Sequence, residues 1–315
     1  MNLQRIASSV DITKLVNKTV TLVGAGASAN LACNLARTGI QSMKLVDFDV
    51  VSDTNISRQE HHPDQIGRPK VEALADAIHR INPAARVESI NRDFLTLTDC
   101  EADQLFRQTD LFIFAADKFA VAARGNELAL LMNKRAVWIG LYANGQAGEI
   151  VFWHRRLDSC LRCLLSNRYE AHARAKDSRQ RLDPSSDGCT IFDISLIDAI
   201  AGQIVIGQLT QGSPNRYGRI IDELGDRNFI QIQNDSQFAW NGRPLFRDQL
   251  QVPPDNDRFY SWNTIARRDP SPQPCPDCER FRGHRFVERD GRWLRIKPGE
   301  AVPRHESSHA ATVTI

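Results

Sequence analysis

A chain of 315 residues with 42% hydrophobic and 25% charged side chains is long and apolar enough to bury a substantial core. Its net charge of +2 is too small to argue for a nucleic-acid partner or an anionic membrane. The first residues, Met1 to Ala7, lack the apolar core of a signal peptide, and no apolar run approaches the ~20 residues that cross a bilayer, so the reading is a cytoplasmic protein. Seven cysteines are an odd number, and four stand in two Cys-x-x-Cys pairs, which favours metal thiolates over disulfides.

In chain order, Thr19–Val23 is a β-branched run that reads as a buried parallel strand and breaks at Gly24-Ala25-Gly26-Ala27. A helix is expected over Ser28–Arg37, closed by Gly39, and a second strand over Met43–Asp47. Val71, Leu74, Ala75 and Ile78 recur at helical spacing over Pro69–Ile81, which puts Lys70 in the first turn. Strands follow over Arg86–Ile90, Leu111–Asp117, Ala136–Leu141 and Gly148–Trp153, with a helix over Ala120–Met132. That alternation predicts an α/β fold with a doubly wound, mostly parallel, Rossmann-like sheet. Ser166–Ser186 is polar, basic and without sustained periodicity, and reads as a mobile crossing loop. A helix over Leu196–Leu209 packs on the sheet, short strands at Tyr217–Ile221 and Phe229–Ile232 imply a small β-rich lobe, and 301–315 reads as a flexible tail.

The glycine turn before a helix is a phosphate cradle, because it brings unpaired N–H groups and a helix dipole to an anion. Asp47 ends the next strand about 20 residues on, where a ribose hydroxyl is held. Those two features alone serve NAD and ATP equally. Asp49, Asn55, Arg58, Gln59 and Lys70 follow, and a triphosphate that loses pyrophosphate needs cations such as Arg58 and Lys70 for its extra charge. Taken singly, Arg58 reads better as a surface ion pair and Lys70 as a solvated helix face; it is their order with the two acids that argues otherwise.

The order Gly-x-Gly (Gly24, Gly26), Asp-x-Asp (Asp47, Asp49), Asn-x-x-Arg-Gln (Asn55, Arg58, Gln59) and Gly-x-Pro-Lys (Gly67 to Lys70) resembles the adenylation domain of ubiquitin-like-protein activating enzymes of the ThiF/MoeB type. The strand ending at Asp117, with Arg124, Gly125 and Asn126 on the next helix, extends the resemblance, which covers residues 15 to 210 and loosely reaches 280. Ala27 and Ala29 stand where that family usually has glycine, and Lys118 where it usually has asparagine. The resemblance implies ATP bound by Gly24, Gly26, Ala27, Asp47, Asp49, Asn55, Arg58, Gln59, Lys70, Asp117 and Arg124, with Mg2+ on Asp117, for which a helix N-cap is the plainer alternative. It divides the chain into a 1–165 adenylation domain, a 166–190 crossover, a 191–300 remainder with a C-terminal lobe, and the tail.

Cys160 and Cys163, with Cys275 and Cys278, each close half of a tetrahedral site, and four thiolates read as structural Zn2+ pinning that lobe. His284 is the alternative ligand. Cys189 follows the polar stretch, where short bacterial forms of the family carry a catalytic nucleophile; the plainer reading is a small buried hydrophobe. Its loop setting predicts exposure, and nearby arginines or a helix N-terminus predict a lowered thiol pKa. Cys33 reads as core, and acidic neighbours disfavour a thiolate at Cys100.

The implied reaction adenylates the C-terminal carboxylate of a ubiquitin-like or sulfur-carrier protein and passes it to Cys189 as a thioester, with a conjugating enzyme or sulfur donor downstream. The implied state is a homodimer, with Arg5 the match for an arginine lent to the partner subunit. The alternatives are an adenylating relative with no cysteine step, acting on a tRNA-linked or peptide carboxylate, and a catalytically silent scaffold for a ubiquitin-like protein. An NAD oxidoreductase is disfavoured because no Tyr-x-x-x-Lys pair is evident.

Overall fold

The computed structural model describes residues 1–178, 187–240, 243–244, 262–269, 273–283, 285–289 and 292–296. Its strands are β1 (Thr19–Val23), β2 (Ser42–Asp47), β3 (Arg86–Asn91), β4 (Leu111–Phe114), β5 (Arg135–Leu141), β6 (Ala147–Trp153), β7 (Phe229–Gln233), β8 (Ala239–Trp240), β9 (Arg243–Pro244), β10 (Asn263–Arg267), β11 (Arg285–Arg289) and β12 (Arg292–Ile296). The helices are α1 (Ile12–Leu15), α2 (Ala29–Arg37), α3 (Asp53–Ile56), α4 (Lys70–Ile81), α5 (Asp99–Arg107), α6 (Phe119–Met132), α7 (Leu161–Leu164), α8 (Ser166–Ser178), α9 (Ile191–Thr210), α10 (Arg216–Leu224) and α11 (Pro276–Phe281).

One eight-stranded sheet runs β10-β7-β6-β5-β4-β1-β2-β3. Strands β1 to β5 pair in parallel, and β6, β7 and β10 add antiparallel to the β5 edge. Leu111 to Phe114 and Val20, Leu22 and Val23 are all buried, so β4 and β1 are central strands covered on both faces. Helices α2, α4 and α9 cover one face and α5, α6, α7 and α11 the other. Phe106, Phe112, Phe114 and Trp138 stack in sequence under α6, with ring centroids 3.7, 5.8 and 5.7 Å apart. A Cβ at Gly125 would lie 2.5 Å from the Phe114 ring, so glycine is what lets α6 seat on that stack. The chain leaves β1 toward β2 and β3 and crosses back to β4 on the other side, which creates a switch point at the carboxyl edge of β1 and β4.

Three local expectations change. Ser166–Ser178 forms a helix, not a loop: its Ala, Arg, Glu and Lys residues favour helix without any apolar period, and Tyr169 and Arg168 anchor it inward. Residues 179–186, which hold Arg179 and Arg181, lie outside the described residues, as do His284 and the 301–315 tail. Tyr217–Ile221 belongs to α10, not a strand; Asn215 caps it by accepting the Gly218 N–H at 3.0 Å. Helix α9 spans 20 residues and is by length and composition apolar enough to cross a membrane, unlike the expectation that no run approached that size. Here it is a core helix, packed on α2, α10, β5 and β6 with Asp198 and Gln208 buried along it.

Candidate active site

The carboxyl edge of β1, β2 and β4 opens into a pocket of about 650 Å3, lined by Gly24, Gly26, Ala27, Asp47, Asp49, Asn55, Arg58, Gln59, Lys70 and Asp117. Gly24 has φ +97°, and a Cβ there would lie 2.8 Å from the backbone of Ala115 and Ala116. Only glycine lets the turn pass so close to the end of β4. The Ala25 N–H donates to Asp47 Oδ2 at 2.7 Å and the Asp49 N–H to Oδ1 at 2.9 Å, so Asp47 is fixed by backbone on both oxygens. Burial raises its pKa, while those two N–H groups and Lys70 oppose the shift.

Arg58 and Gln59 are held by a local device. Asn55 Oδ1 accepts the Ser52 N–H at 2.9 Å in a capping box, and the Asn55 carbonyl accepts the N–H groups of Arg58 (3.1 Å) and Gln59 (2.9 Å). Gln59 Oε1 is buried and has no partner among the described residues. A Cβ on Gly26 would lie 3.3 Å from Gln59 Nε2, so the glycine loop and this amide share one narrow space. Residues 49–51 and 67–70 are clipped together by Gly67 N–H to Val51 O (2.8 Å) and Lys70 N–H to Asp49 O (2.9 Å). That clip brings Lys70 Nζ to 2.9 Å from Asp49 Oδ2, with Lys70 only 7% exposed. A turn that admits no Cβ at Gly24, an unpartnered amide oxygen and two cations beside a backbone-fixed aspartate fit a nucleoside triphosphate.

Arg124 is a correction. Its guanidinium donates to the carbonyls of Phe94 (2.7 Å) and Leu97 (2.6 Å) and packs over the Phe94 ring, so it builds the wall behind the pocket and does not line it. That wall, Asp93 and Phe94, and the exposed Phe48 on the rim were not anticipated. The basic residue at Lys118 ties the two together, 3.7 Å from Asp93 and 5.0 Å over the Phe48 ring. No local motif marks these residues; they meet only through the β2–β3 and β4–α6 packing.

A second cavity, about 330 Å3, shares Ala27, Ala115, Ala116 and Asp117 with the pocket and runs under α8. Phe119, Trp138, Leu161 and Leu165 make it apolar. At one end the Tyr142 hydroxyl donates to buried Glu149 at 2.5 Å, and Arg168 of α8 pairs with the same carboxylate. Burial and Glu149 push the Tyr142 phenol well up, so it stays a donor.

Cys189 is buried, contrary to expectation, at 5% exposure. Gly188 packs on Asn144, the Asn144 N–H donates to Asp187 O at 3.0 Å, and the Cys189 thiol donates to Tyr142 O at 3.5 Å. Thr190 and Asp193 then form the capping box that starts α9. Burial pushes the Cys189 thiol up, with Asp193 and Asp117 adding to the rise and Gly145 N–H and Arg58 opposing it. The expected lowering is therefore absent in this arrangement, although the thiol stands within electrostatic reach of Arg58 and Asp117. Cys33 is core, its thiol pushed up to about 11 by burial, and Cys100 is exposed.

The other four cysteines converge. Cys160 and Cys275 are the N-caps of α7 and α11, with Cys163 and Cys278 one turn on. Sulfur separations are 3.8 Å (Cys160–Cys163), 3.5 Å (Cys160–Cys275) and 3.7 Å (Cys163–Cys278). A tetrahedron with Zn–S bonds of about 2.3 Å has edges of about 3.8 Å, so the donor set fits zinc. Buried Asn126 organises the surroundings: its Nδ2 donates to Cys160 Sγ (3.6 Å) and Asp277 Oδ2 (2.8 Å), and its Oδ1 accepts the Leu161 N–H (3.1 Å). Arg162 pairs with Asp277 at 2.6 Å.

The model of the ThiF family matches residues 1–211. The Probable adenylyltransferase/sulfurtransferase MoeZ of Mycobacterium tuberculosis is 38% identical over 44% of this chain and 35% of its own length. Molybdopterin-synthase adenylyltransferase of Escherichia coli is 34% identical over 48% of this chain and 59% of its own length. Ubiquitin-like modifier-activating enzyme 5 of Drosophila virilis is 29% identical over 52% and 43%. The matched segments thus span between about a third and three fifths of those curated relatives. Among solved structures, E. coli MccB with MccA aligns with TM-score 0.58 and 18% identity over 85% of this chain and 68% of that one, a likeness of fold.

Proposed function

The chain belongs to the ThiF family, and from that premise we propose that it adenylates the C-terminal carboxylate of a ubiquitin-like or sulfur-carrier protein at the expense of ATP. The observation that carries this reading is the gathering of the glycine cradle, Asp47, Arg58, Gln59, Lys70 and Asp117 around one pocket at the switch point. A carboxylate is a poor electrophile; its oxygen attacks the α-phosphorus, forms an acyl adenylate and expels pyrophosphate. Arg58 and Lys70 offset the charge that builds on the departing oxygens, Asp47 holds the ribose, and the backbone at Gly24 to Ala27 orients the phosphates. Mg2+, when bound, would neutralise phosphate charge, with Asp117 as its carboxylate ligand. The substrate's tail enters through the apolar cavity under α8, which leads directly to Asp117.

In this reading, once the 187–189 segment releases Tyr142 and Gly145, the Cys189 thiolate attacks the acyl carbon of the adenylate, breaks its bond to phosphate and expels AMP; a conjugating enzyme or sulfur donor receives the thioester-bound acyl group, and the enzyme works as a homodimer. A second reading, adenylation with no cysteine step, is favoured by the buried, raised thiol. ATP–pyrophosphate exchange driven by a candidate carrier protein tests the adenylation; exchange absent with every carrier, or retained in Lys70→Ala, overturns it. Cys189→Ala separates the readings: loss of a reductant-sensitive carrier adduct with exchange retained supports the thioester, and an unchanged adduct removes it.

A further inference from the structure

The amino end of the sheet, at the opposite edge from the nucleotide pocket, holds a separate cavity of about 430 Å3. Strand register builds it. Ala136 of β5 faces Trp153 of β6 in antiparallel pairing, so the flanking Lys134-Arg135 and His154-Arg155-Arg156 meet at one corner and all five line the cavity. Like charges brought together across strands cost stability unless something offsets them.

Within the cavity the offset is small. Asp110 is the only acid among its described lining residues, and it already accepts from Lys18 (3.0 Å) and the Thr19 N–H (2.9 Å). Lys134 is engaged with the carbonyls of Arg107 and Thr109. His154 is 8% exposed; its Nδ1 accepts the Arg156 N–H at 3.4 Å, which places the ring proton on Nε2. That Nε2 and the Nε of Arg135 are both buried and have no partner among the described residues. A buried donor without an acceptor costs about 1–3 kcal/mol, and these two sit in the wall of a cavity lined by five basic residues and one acid, a surplus of positive charge that an anion would offset.

We propose that this cavity binds a small phosphate-bearing anion through Arg135, Arg155 and Arg156, with the buried His154 ring in the wall behind them. Phosphate suits it better than a single carboxylate because three oxygens and up to two charges meet several planar guanidinium forks at once. Protonation is coupled to the event. Burial, Arg135 and Arg156 push the His154 pKa down to about 4, with Asp222 of α10 opposing, while Lys134, Arg155 and Asp110 also face the cavity. An anion beside the ring reverses the push from the arginines, so binding near neutral pH takes up protons.

The test is calorimetry of the full chain with inorganic pyrophosphate. Lys70→Ala weakens pyrophosphate at the nucleotide pocket, and Arg155→Ala/Arg156→Ala is added to it, both arginines being exposed. Saturable binding to Lys70→Ala, with proton uptake seen as a buffer-dependent heat, should weaken at least about tenfold in the triple variant. Arg155→Lys/Arg156→Lys, which keeps the charge but not the fork, should fall between. The proposal is overturned if Lys70→Ala shows no saturable site, or if removal of both arginines leaves affinity within about twofold. Dissociation of a dimer by the arginine substitutions without pyrophosphate binding also overturns it and assigns the corner to self-association.

Discussion

The pocket at the carboxyl edge of the sheet draws most of its polar side chains from residues 47–70, and it leaves them partly open: Asp49 is half exposed although Lys70, its partner, is buried. The cysteine cluster draws its sulfurs from two pairs 115 positions apart and backs them with buried Asn126 and Asp277 and the half-buried Arg162. A ligand that arrives and departs needs groups with spare bonding capacity near solvent, whereas a permanently held ion needs donors fixed before it binds. The two regions differ accordingly in what a substitution should damage.

The largest effect is expected at the cluster. Cys278→Ser should abolish an equivalent of bound zinc, measured by elemental analysis, and destabilise the chain by several kcal/mol, since structural thiolate zinc contributes on the order of 10 kcal/mol. The 273–283 segment should become protease-sensitive. Zinc content unchanged in this variant would show that the four sulfurs do not act together. The pocket should behave in the opposite way: Lys70→Ala should slow ATP–pyrophosphate exchange by about 100- to 1,000-fold, ~3–4 kcal/mol of transition-state stabilisation, and barely move the unfolding midpoint. A large loss of stability there would make Lys70 structural and erase the contrast.

The contrast also explains what the sequence made legible. Gly24, Asp47, Arg58, Gln59 and Lys70 lie in one stretch, and all of them line one pocket. The two Cys-x-x-Cys pairs were readable because thiolate spacing is rigid, and they meet as expected. Arg124 misled because a helical arginine has a long reach, and only the packing of Phe94 and Leu97 shows where it is spent. Helix α8 escaped because propensity, not periodicity, forms it, and Cys189 looked exposed because a polar approach says nothing of the β5–β6 turn that covers it.

A smaller effect, 1–3 kcal/mol, is expected from Gly24→Ala. It forces a side chain into φ +97° and within 2.8 Å of the Ala115–Ala116 backbone. Because that shift also narrows the cradle, nucleotide affinity measured by calorimetry should drop together with stability. Gly67→Ala, with φ +87° but open space around it, separates the two causes: it should cost the strain without the loss of affinity.

The last effect is confined to a pH window and concerns α9, which packs on α2 behind the glycine loop. Asp198 of α9 is 3% exposed; Ser28, beside the glycine loop, donates its hydroxyl to Oδ1 at 2.8 Å, and Oδ2 has no partner among the described residues. Burial raises the Asp198 pKa from 3.8 to about 7, against the hydrogen bonds from Ser28 and the Leu31 backbone. With the folded pKa above the unfolded one, the folded chain holds the proton between about pH 4 and 7 while the unfolded chain releases it. Stability from this group is therefore full below about pH 4 and is lost as pH rises through 7, at up to about 1.4 kcal/mol per pH unit. Asp198→Asn keeps a neutral, isosteric amide at every pH. Urea unfolding at pH 5, 6, 7 and 8 should show the variant gaining on the natural chain up to pH 7 and then running level. Parallel curves would place a charged carboxylate against α2 at all four pH values, and the burial argument for this contact would fail.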